Sequence, residues 1–241
     1  MIRTLWFMLT TVVATCVGTA IVVVIGLFKR YSRFAHRYIV QGWAKLLIRA
    51  SGTRMRVEGL ENIDPDRSYI VVSNHQSLMD IPILLAALPM QMTIVAKKEL
   101  FRIPVFAQGM KAVGILKIDR GNRAQALETL NRAAEVIRQY GLSVLTFPEG
   151  TRTRDGRLQR FKKGPFVLAI NTGMPILPVT INGSFPIMPK GSLRLNPGNV
   201  TVTIHPAVDT TGYRYEDREQ LIDRIYHIIA AGLHDTVTVV S

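Results

Sequence analysis

The chain has 241 residues, with 30 lysines and arginines against 17 aspartates and glutamates, a formal net charge of +13 and a pI near 10.3. That length suffices for one sizeable catalytic domain with an anchor and is short for two catalytic domains. Its single cysteine, Cys16, excludes a disulfide or a cysteine-built metal site within one chain, and no recognised nucleic-acid motif accompanies the basic charge.

The 24 residues from Leu5 to Phe28 carry no charge, long enough as a helix to cross about 30 Å of hydrocarbon. A cleaved signal peptide is the competing assignment, but its apolar part is shorter, about 7–15 residues. From Lys29 to Ala50, cations at 29, 30, 33, 37, 45 and 49 interleave with Tyr31, Phe34, Tyr38, Trp43 and Leu46. This pattern predicts an amphipathic helix whose aromatics suit the headgroup zone and whose cations suit anionic lipid. A helix that simply packs on the following domain is the alternative. Residues 1–51 are therefore expected to form a membrane anchor and 52–241 a single domain, with the basic flank and all that follows on the cytoplasmic side.

Beyond the anchor, apolar runs and helical periods alternate. Strands are expected at Arg54–Val57, Tyr69–Val72, Thr93–Ala96, Ile115–Ile118, Leu142–Thr146, Ile176–Ile181 and Val200–Ile204. Helices are expected at Leu78–Leu88, Val105–Val113, Asn122–Tyr140, Phe166–Asn171 and Tyr213–Leu233. Prolines at 175 and 178 suggest an edge strand or a strand entry for the sixth run. The fold class is α/β: a mixed, mostly central β-sheet flanked by helices and preceded by the membrane-associated two-helix segment. His205 is assigned a structural role, and His36, His227 and His234 a surface or membrane-proximal one. Cys16 is expected to be a small apolar filler.

Candidate chemistry begins after the second strand, where His75 precedes Asp80 by five residues at a strand-to-helix junction. On one continuous helix these positions point about 140° apart. The two can meet only if His75 lies before the helix and the backbone turns back. His75 would then be a base and Asp80 the group that orients it. Ser77-x-x-Asp80 also fits a capping box, in which Asp80 merely favours the positive end of the helix. Further along, Phe147-Pro148-Glu149-Gly150-Thr151-Arg152 ends a strand with a carboxylate, free amides and a guanidinium, groups that grip a phosphate and orient a hydroxyl.

Four segments, in order and spacing, resemble the glycerolipid acyltransferase family, and within it most closely the bacterial 1-acyl-sn-glycerol-3-phosphate acyltransferases. They are Asn74-His75-x4-Asp80, Gly114-x3-Ile118-Asp119-Arg120, Phe147 to Arg152, and Pro175-x2-Pro178-Val179. The stretch Val95–Phe101 and the turn Lys162-Lys163-Gly164 also match, whereas Lys117 stands where the family's second block is usually apolar. The resemblance covers roughly residues 55 to 205.

It implies transfer of an acyl group from a thioester, acyl-CoA or acyl-carrier protein, to the sn-2 hydroxyl of lysophosphatidic acid, giving phosphatidic acid for phospholipid synthesis. A thioester is already activated, so no metal or other cofactor is expected, and no residue is assigned as a covalent nucleophile. By the same resemblance Lys97, Arg120 and Arg152 would hold the acceptor's phosphate, with Lys98 and Lys163 as helpers. Glu149 would bond the glycerol hydroxyls or position Arg152, and Gly150 and Thr151 would complete the substrate-binding turn. Phe101, Ile103, Pro104, Val105, Phe106 and Met110 are candidates for an acyl groove. The partners implied are the phospholipid bilayer of the cell (inner) membrane, the lysophosphatidic acid and the acyl donor, which account for the positive charge without nucleic acid. Two alternatives stay open: an acyltransferase for another lysolipid or glycerol 3-phosphate, and a lipid-binding protein without turnover.

Overall fold

Seven short strands form one sheet in the order β1-β7-β6-β2-β5-β3-β4. The computed structural model describes residues 1–29, 31–118, 134–137 and 139–233, without the side chains of residues 97 and 118. The strands are β1 (Arg54–Glu58), β2 (Ile70–Ser73), β3 (Met92–Lys97), β4 (Leu116–Ile118), β5 (Ser143–Thr146), β6 (Ile176–Asn182) and β7 (Asn199–Ile204). All neighbours run parallel except β6 and β7. The helices are α1 (Ile2–Phe28), α2 (Gln41–Ser51), α3 (Asp80–Ala87), α4 (Phe106–Ala112), α5 (Gly164–Thr172) and α6 (Arg218–Ala231).

Alternation along each strand divides the core into two layers. Val71, Leu145, Leu177, Val179 and Ile181 face a cluster that includes Ala44, Leu47 and Ile48 of α2 and Ile83 and Leu84 of α3. Ile70, Val72, Val144 and Ile176 face the other, with Phe166 and Leu168 of α5 and Leu221 and Ile225 of α6. Because β2, β5 and β3 are parallel neighbours, the segments that leave their carboxyl ends emerge at one edge of the sheet. In open α/β sheets that edge is where ligands bind.

The N-terminal helices are part of this packing. Trp43 Nε1 donates to Thr15 Oγ1 at 3.1 Å, and the amide of Leu195 donates to Thr4 Oγ1 at 3.3 Å. A side chain at Gly109 of α4 would bring its Cβ within 2.5 Å of Thr19 Oγ1, so α1 and α4 meet where there is no side chain to separate them. A boundary at residue 51 thus divides the chain in sequence, while in space Phe7 of α1 and the inner face of α2 belong to the first core layer.

Several local expectations change. The basic amphipathic stretch is broken near Tyr31, whose φ is +54°, and continues through a π-helical turn, Ala35–Val40, before α2. That turn directs His36 inward: it is 7% exposed and its Nε2 lies 3.0 Å from Met90 O, so it is buried rather than at the surface, and burial lowers its pKa to about 4. Cys16, expected as a small apolar filler of the uncharged stretch, is exposed on α1. Pro178 lies in an interior strand, not at an edge. It is accommodated because the β6–β7 ladder starts at Val179, leaving Pro178 to contribute its carbonyl to the amide of His205. His205 Nε2 meets Thr180 Oγ1 at 2.8 Å, and exposed His227 bonds Asp223 O. The helix expected over Asn122–Tyr140 is seen as helical residues at 134–137 and 139–140, and the rest of that span, like His234, lies outside the described residues.

Candidate active site

Strand β2 delivers the chain into a loop that is fixed from both sides. The Asn74 side chain pairs with the backbone of Ile181 on β6, donating to its carbonyl at 2.9 Å and accepting from its amide at 2.8 Å. His75 follows, its side chain 17% exposed, and its Nδ1 lies 2.8 Å from Oδ2 of fully buried Asp80. The loop turns back as the spacing requires. The same Oδ2 accepts from the amides of Gln76 and Ser77, each at 2.7 Å, and Asp80 begins α3. A proton on Nδ1 directed at the carboxylate leaves Nε2 with its lone pair for a substrate hydroxyl. The Phe147 ring stacks on the imidazole with centroids 4.0 Å apart and planes 18° apart, which fixes the ring's tilt. Ser77 does not cap the first turn of α3: its hydroxyl accepts from the amide of Met79 and donates to Met188 O.

After β5, the segment Phe147–Arg152 comes to the same loop. Glu149 is 3% exposed, and its two oxygens accept from the amides of His75 at 2.6 Å and Gln159 at 3.0 Å. These backbone partners make it a clasp between the His75 loop and the loop that follows Arg152. Burial raises its pKa from 4.5 to about 7, against the two amides, which favour the charged form. Gly150 has φ +76°, so the turn makes a conformational demand that glycine meets, while the nearest neighbour of a Cβ there would be the end of the flexible Lys162 side chain. Thr151 is exposed and its Oγ1 accepts from Lys190 Nζ at 2.8 Å. Arg152 is half-buried and, among the described residues, no carboxylate lies within ion-pair distance of it.

Of the other sequence candidates, Lys97 is the last residue of β3, which places its backbone at the same sheet edge, and its side chain is outside the described set. Arg120 also lies outside the described residues. Lys98 opens a short 3₁₀ turn after β3, and exposed Lys163 immediately precedes α5. Among the described residues no group of three or more His, Cys, Asp or Glu side chains is placed to hold a metal ion.

An apolar cavity of about 140 Å³ lies between β3 and helices α1 to α4, and neither His75 nor Asp80 lines it. Ile81 and Leu85 of α3 line it, the first being the residue after Asp80, together with Ala14 and Gly18 of α1, Trp43 of α2, Ala96 of β3, and Phe106 and Met110 of α4. Phe106 and Met110 were groove candidates from the sequence. Phe101, Ile103, Pro104 and Val105 are not among the lining residues, and Ile103 and Val105 are exposed instead. Phe147, Asn74 and Lys190 were not anticipated as parts of the site. Phe147 and Asn74 stand inside the motif blocks, but their contacts are with segments far along the chain, and Lys190 lies in none.

The model of a family described as Acyltransferase matches residues 54–182. The chain belongs to the acyltransferase family. Its relatives include a chloroplast 1-acyl-sn-glycerol-3-phosphate acyltransferase of Brassica napus, 40% identical over 184 residues, which is 76% of this chain and 53% of that protein. A 1-acyl-sn-glycerol-3-phosphate acyltransferase alpha of Bos taurus is 32% identical over 73% of this chain and 61% of its own length. Among the curated relatives it matches first, the aligned segment thus spans about half the length. The crystal structure of the 1-acyl-sn-glycerophosphate acyltransferase PlsC of Thermotoga maritima superimposes with a TM-score of 0.82 at 32% identity, over 96% of this acyltransferase-family chain and 93% of that one.

Proposed function

We propose that the protein transfers an acyl group from acyl-CoA or acyl-carrier protein to the sn-2 hydroxyl of 1-acyl-glycerol 3-phosphate, forming phosphatidic acid. The observation that carries this reading is the buried Asp80 Oδ2 holding His75 Nδ1 at 2.8 Å, with an apolar cavity lined by the next residue, Ile81. The names of its relatives favour a lysophosphatidate acceptor.

In this mechanism Nε2 of neutral His75 takes the proton from the acceptor hydroxyl as the oxygen attacks the thioester carbonyl. Asp80 stabilises the imidazolium that results. Collapse of the tetrahedral intermediate expels the thiolate, which recovers the proton from His75, so the acyl group moves directly with no acyl-enzyme. The acyl chain enters the cavity past Ile81, which puts the carbonyl near Asp80 and His75. The guanidinium of Arg152, which has no carboxylate partner among the described residues, receives the acceptor's phosphate, with Lys97 and Arg120 as further cations, while Gly150 lets the backbone come close.

Membrane attachment follows from α1, whose 27 residues make a helix about 40 Å long. It is held along one side by Leu195, Trp43, Gly109 and Ala112, and it exposes Leu5, Trp6, Leu9, Val13 and Val17 on the other. A helix flanked by its own domain along its length suits immersion in one leaflet better than a lone crossing. The active site then stands at headgroup level on the cytoplasmic side of the cell membrane.

The deciding experiment is an acyl-transfer assay of the purified chain with lysophosphatidate, other lysolipids and glycerol 3-phosphate, each with both thioester donors. Phosphatidic acid should form fastest. A faster product from another acceptor would move the substrate assignment, and lipid binding without any turnover would overturn the catalytic one.

A further inference from the structure

Between β6 and β7 the chain makes an excursion, residues 183–198, that returns to the site opposite the His75 loop. Its carbonyl at Met188 accepts from the amide of Leu78 and from Ser77 Oγ, both at 3.0 Å, and Pro189 bridges to Ser77. Lys190 is the next residue. It is therefore mounted on a backbone fastened to the segment that holds the dyad, not on a loose surface turn.

From that mount the Lys190 ammonium donates to Thr151 Oγ1 at 2.8 Å. Thr151 directly precedes Arg152, so a second cation reaches the turn to which the acceptor's phosphate is assigned. Neither cation has an ion-pair partner among the described residues. A neutral hydroxyl takes one of the three donors on an ammonium and leaves the others, and the full charge, available. A phosphate monoester carries nearly two negative charges near neutral pH and accepts several charge-assisted hydrogen bonds.

We propose that Lys190 is a phosphate-binding residue of this site, acting beside Arg152 on the phosphate monoester of the acceptor. The inference rests on the acceptor reading above and deepens it. Arg152 supplies a planar fork, whereas Lys190 supplies a point charge that can follow the phosphate on its flexible stem.

The test reads binding separately from turnover, with glycerol 3-phosphate as a soluble phosphate probe titrated into the full chain in detergent micelles. Lys190→Gln keeps a group able to donate to Thr151 but removes the charge, so it separates support of the turn from attraction of an anion. Thermal unfolding confirms that the variant is folded. Binding of the probe should weaken roughly tenfold in Lys190→Gln, the scale of one charge-assisted hydrogen bond, and Lys190→Arg should recover part of it. With lysophosphatidate the acceptor KM should rise by a similar factor while kcat and the donor KM stay within about twofold. Equal probe affinity in wild type and Lys190→Gln, or a loss of kcat with acceptor KM unchanged, overturns the role of Lys190. If lysophosphatidate is not acylated by the wild type while the probe still binds through Lys190, the acceptor assignment falls and the phosphate site stands.

Discussion

At the scale of single residues, one oxygen serves two purposes: Asp80 Oδ2 takes the His75 imidazole and the amides of Gln76 and Ser77. Asp80 therefore fastens the loop before α3, with no side-chain cap on the helix itself, and holds the imidazole with the same atom. His75→Ala should lower turnover on the order of 10²–10⁴-fold, the usual contribution of a general base, with the protein still folded because Asp80 Oδ2 keeps the amides of Gln76 and Ser77. Activity within a few-fold of wild type would remove His75 from the chemistry. Asp80→Asn should both slow the reaction and destabilise the loop, by about 1–3 kcal/mol for a buried charge-assisted partner. Glu149 offers a pH test. Its pKa lies at about 7 in the fold against 4.5 for the unperturbed group, chiefly because it is buried. Between those values folding takes up a proton, so its contribution to stability is fully present below pH 4.5 and is lost as pH rises through 7. Across that window the change is on the order of 3 kcal/mol at most. Urea unfolding in micelles should show Glu149→Gln gaining on wild type from pH 5 to pH 8. An unchanged difference would mean that the buried carboxyl does not titrate in that range.

Elements bring these residues together because β2, β5 and β3 are parallel neighbours, so loops distant in sequence open at one edge. Of these strands β3 walls the cavity with α1 and α4, and Ala96 is a small residue in that wall. Ala96→Phe should fill part of the space and shift the donor preference to shorter acyl thioesters, with roughly tenfold slower use of the longest, a discrimination typical of apolar pockets. Equal rates for short and long thioesters in this variant would show that the acyl chain lies elsewhere. Much of this layer was legible in the sequence. Strands β2, β5 and β6 are buried on both faces and are centred on short apolar runs, and the His75–Asp80 pair and the Phe147–Arg152 turn are local in sequence. What was hidden depends on contacts between distant segments. The inward turn of His36 follows from a π-helical distortion that amphipathic periodicity does not encode. Pro178 is tolerated only because the antiparallel ladder to β7 begins one residue later. The Phe147 stack and the reach of Lys190 require the tertiary fold.

For the molecule as a whole, the N-terminal segment is a structural wall on one face, and the proposal above gives its other face to the membrane. Ala44, Leu47 and Ile48 of α2 are buried against the sheet and α3, while Arg33, Arg37, Lys45 and Arg49 are exposed beside Phe34, Tyr38 and Leu46. Removing residues 1–51 would uncover the α3 side of the core, each buried leucine or isoleucine being worth about 1.5–3 kcal/mol, so the remainder should aggregate rather than persist as a soluble domain. The outward face can be tested without that damage. Replacing Arg33, Arg37 and Lys45 together with glutamine should leave the unfolding temperature and activity in detergent micelles close to wild type. Binding to vesicles rich in anionic lipid should weaken, since each interfacial cation contributes about 1 kcal/mol. The difference should shrink as salt shortens the Debye length below about 8 Å. Activity on lysophosphatidate embedded in those vesicles should fall in step with binding, because a site at headgroup level spares the lipid's acyl chain a transfer into water at about 0.8 kcal/mol per methylene. Vesicle binding that is unchanged by the triple substitution would mean that the apolar face of α1 alone holds the protein to the bilayer and that the cations of this segment have another purpose.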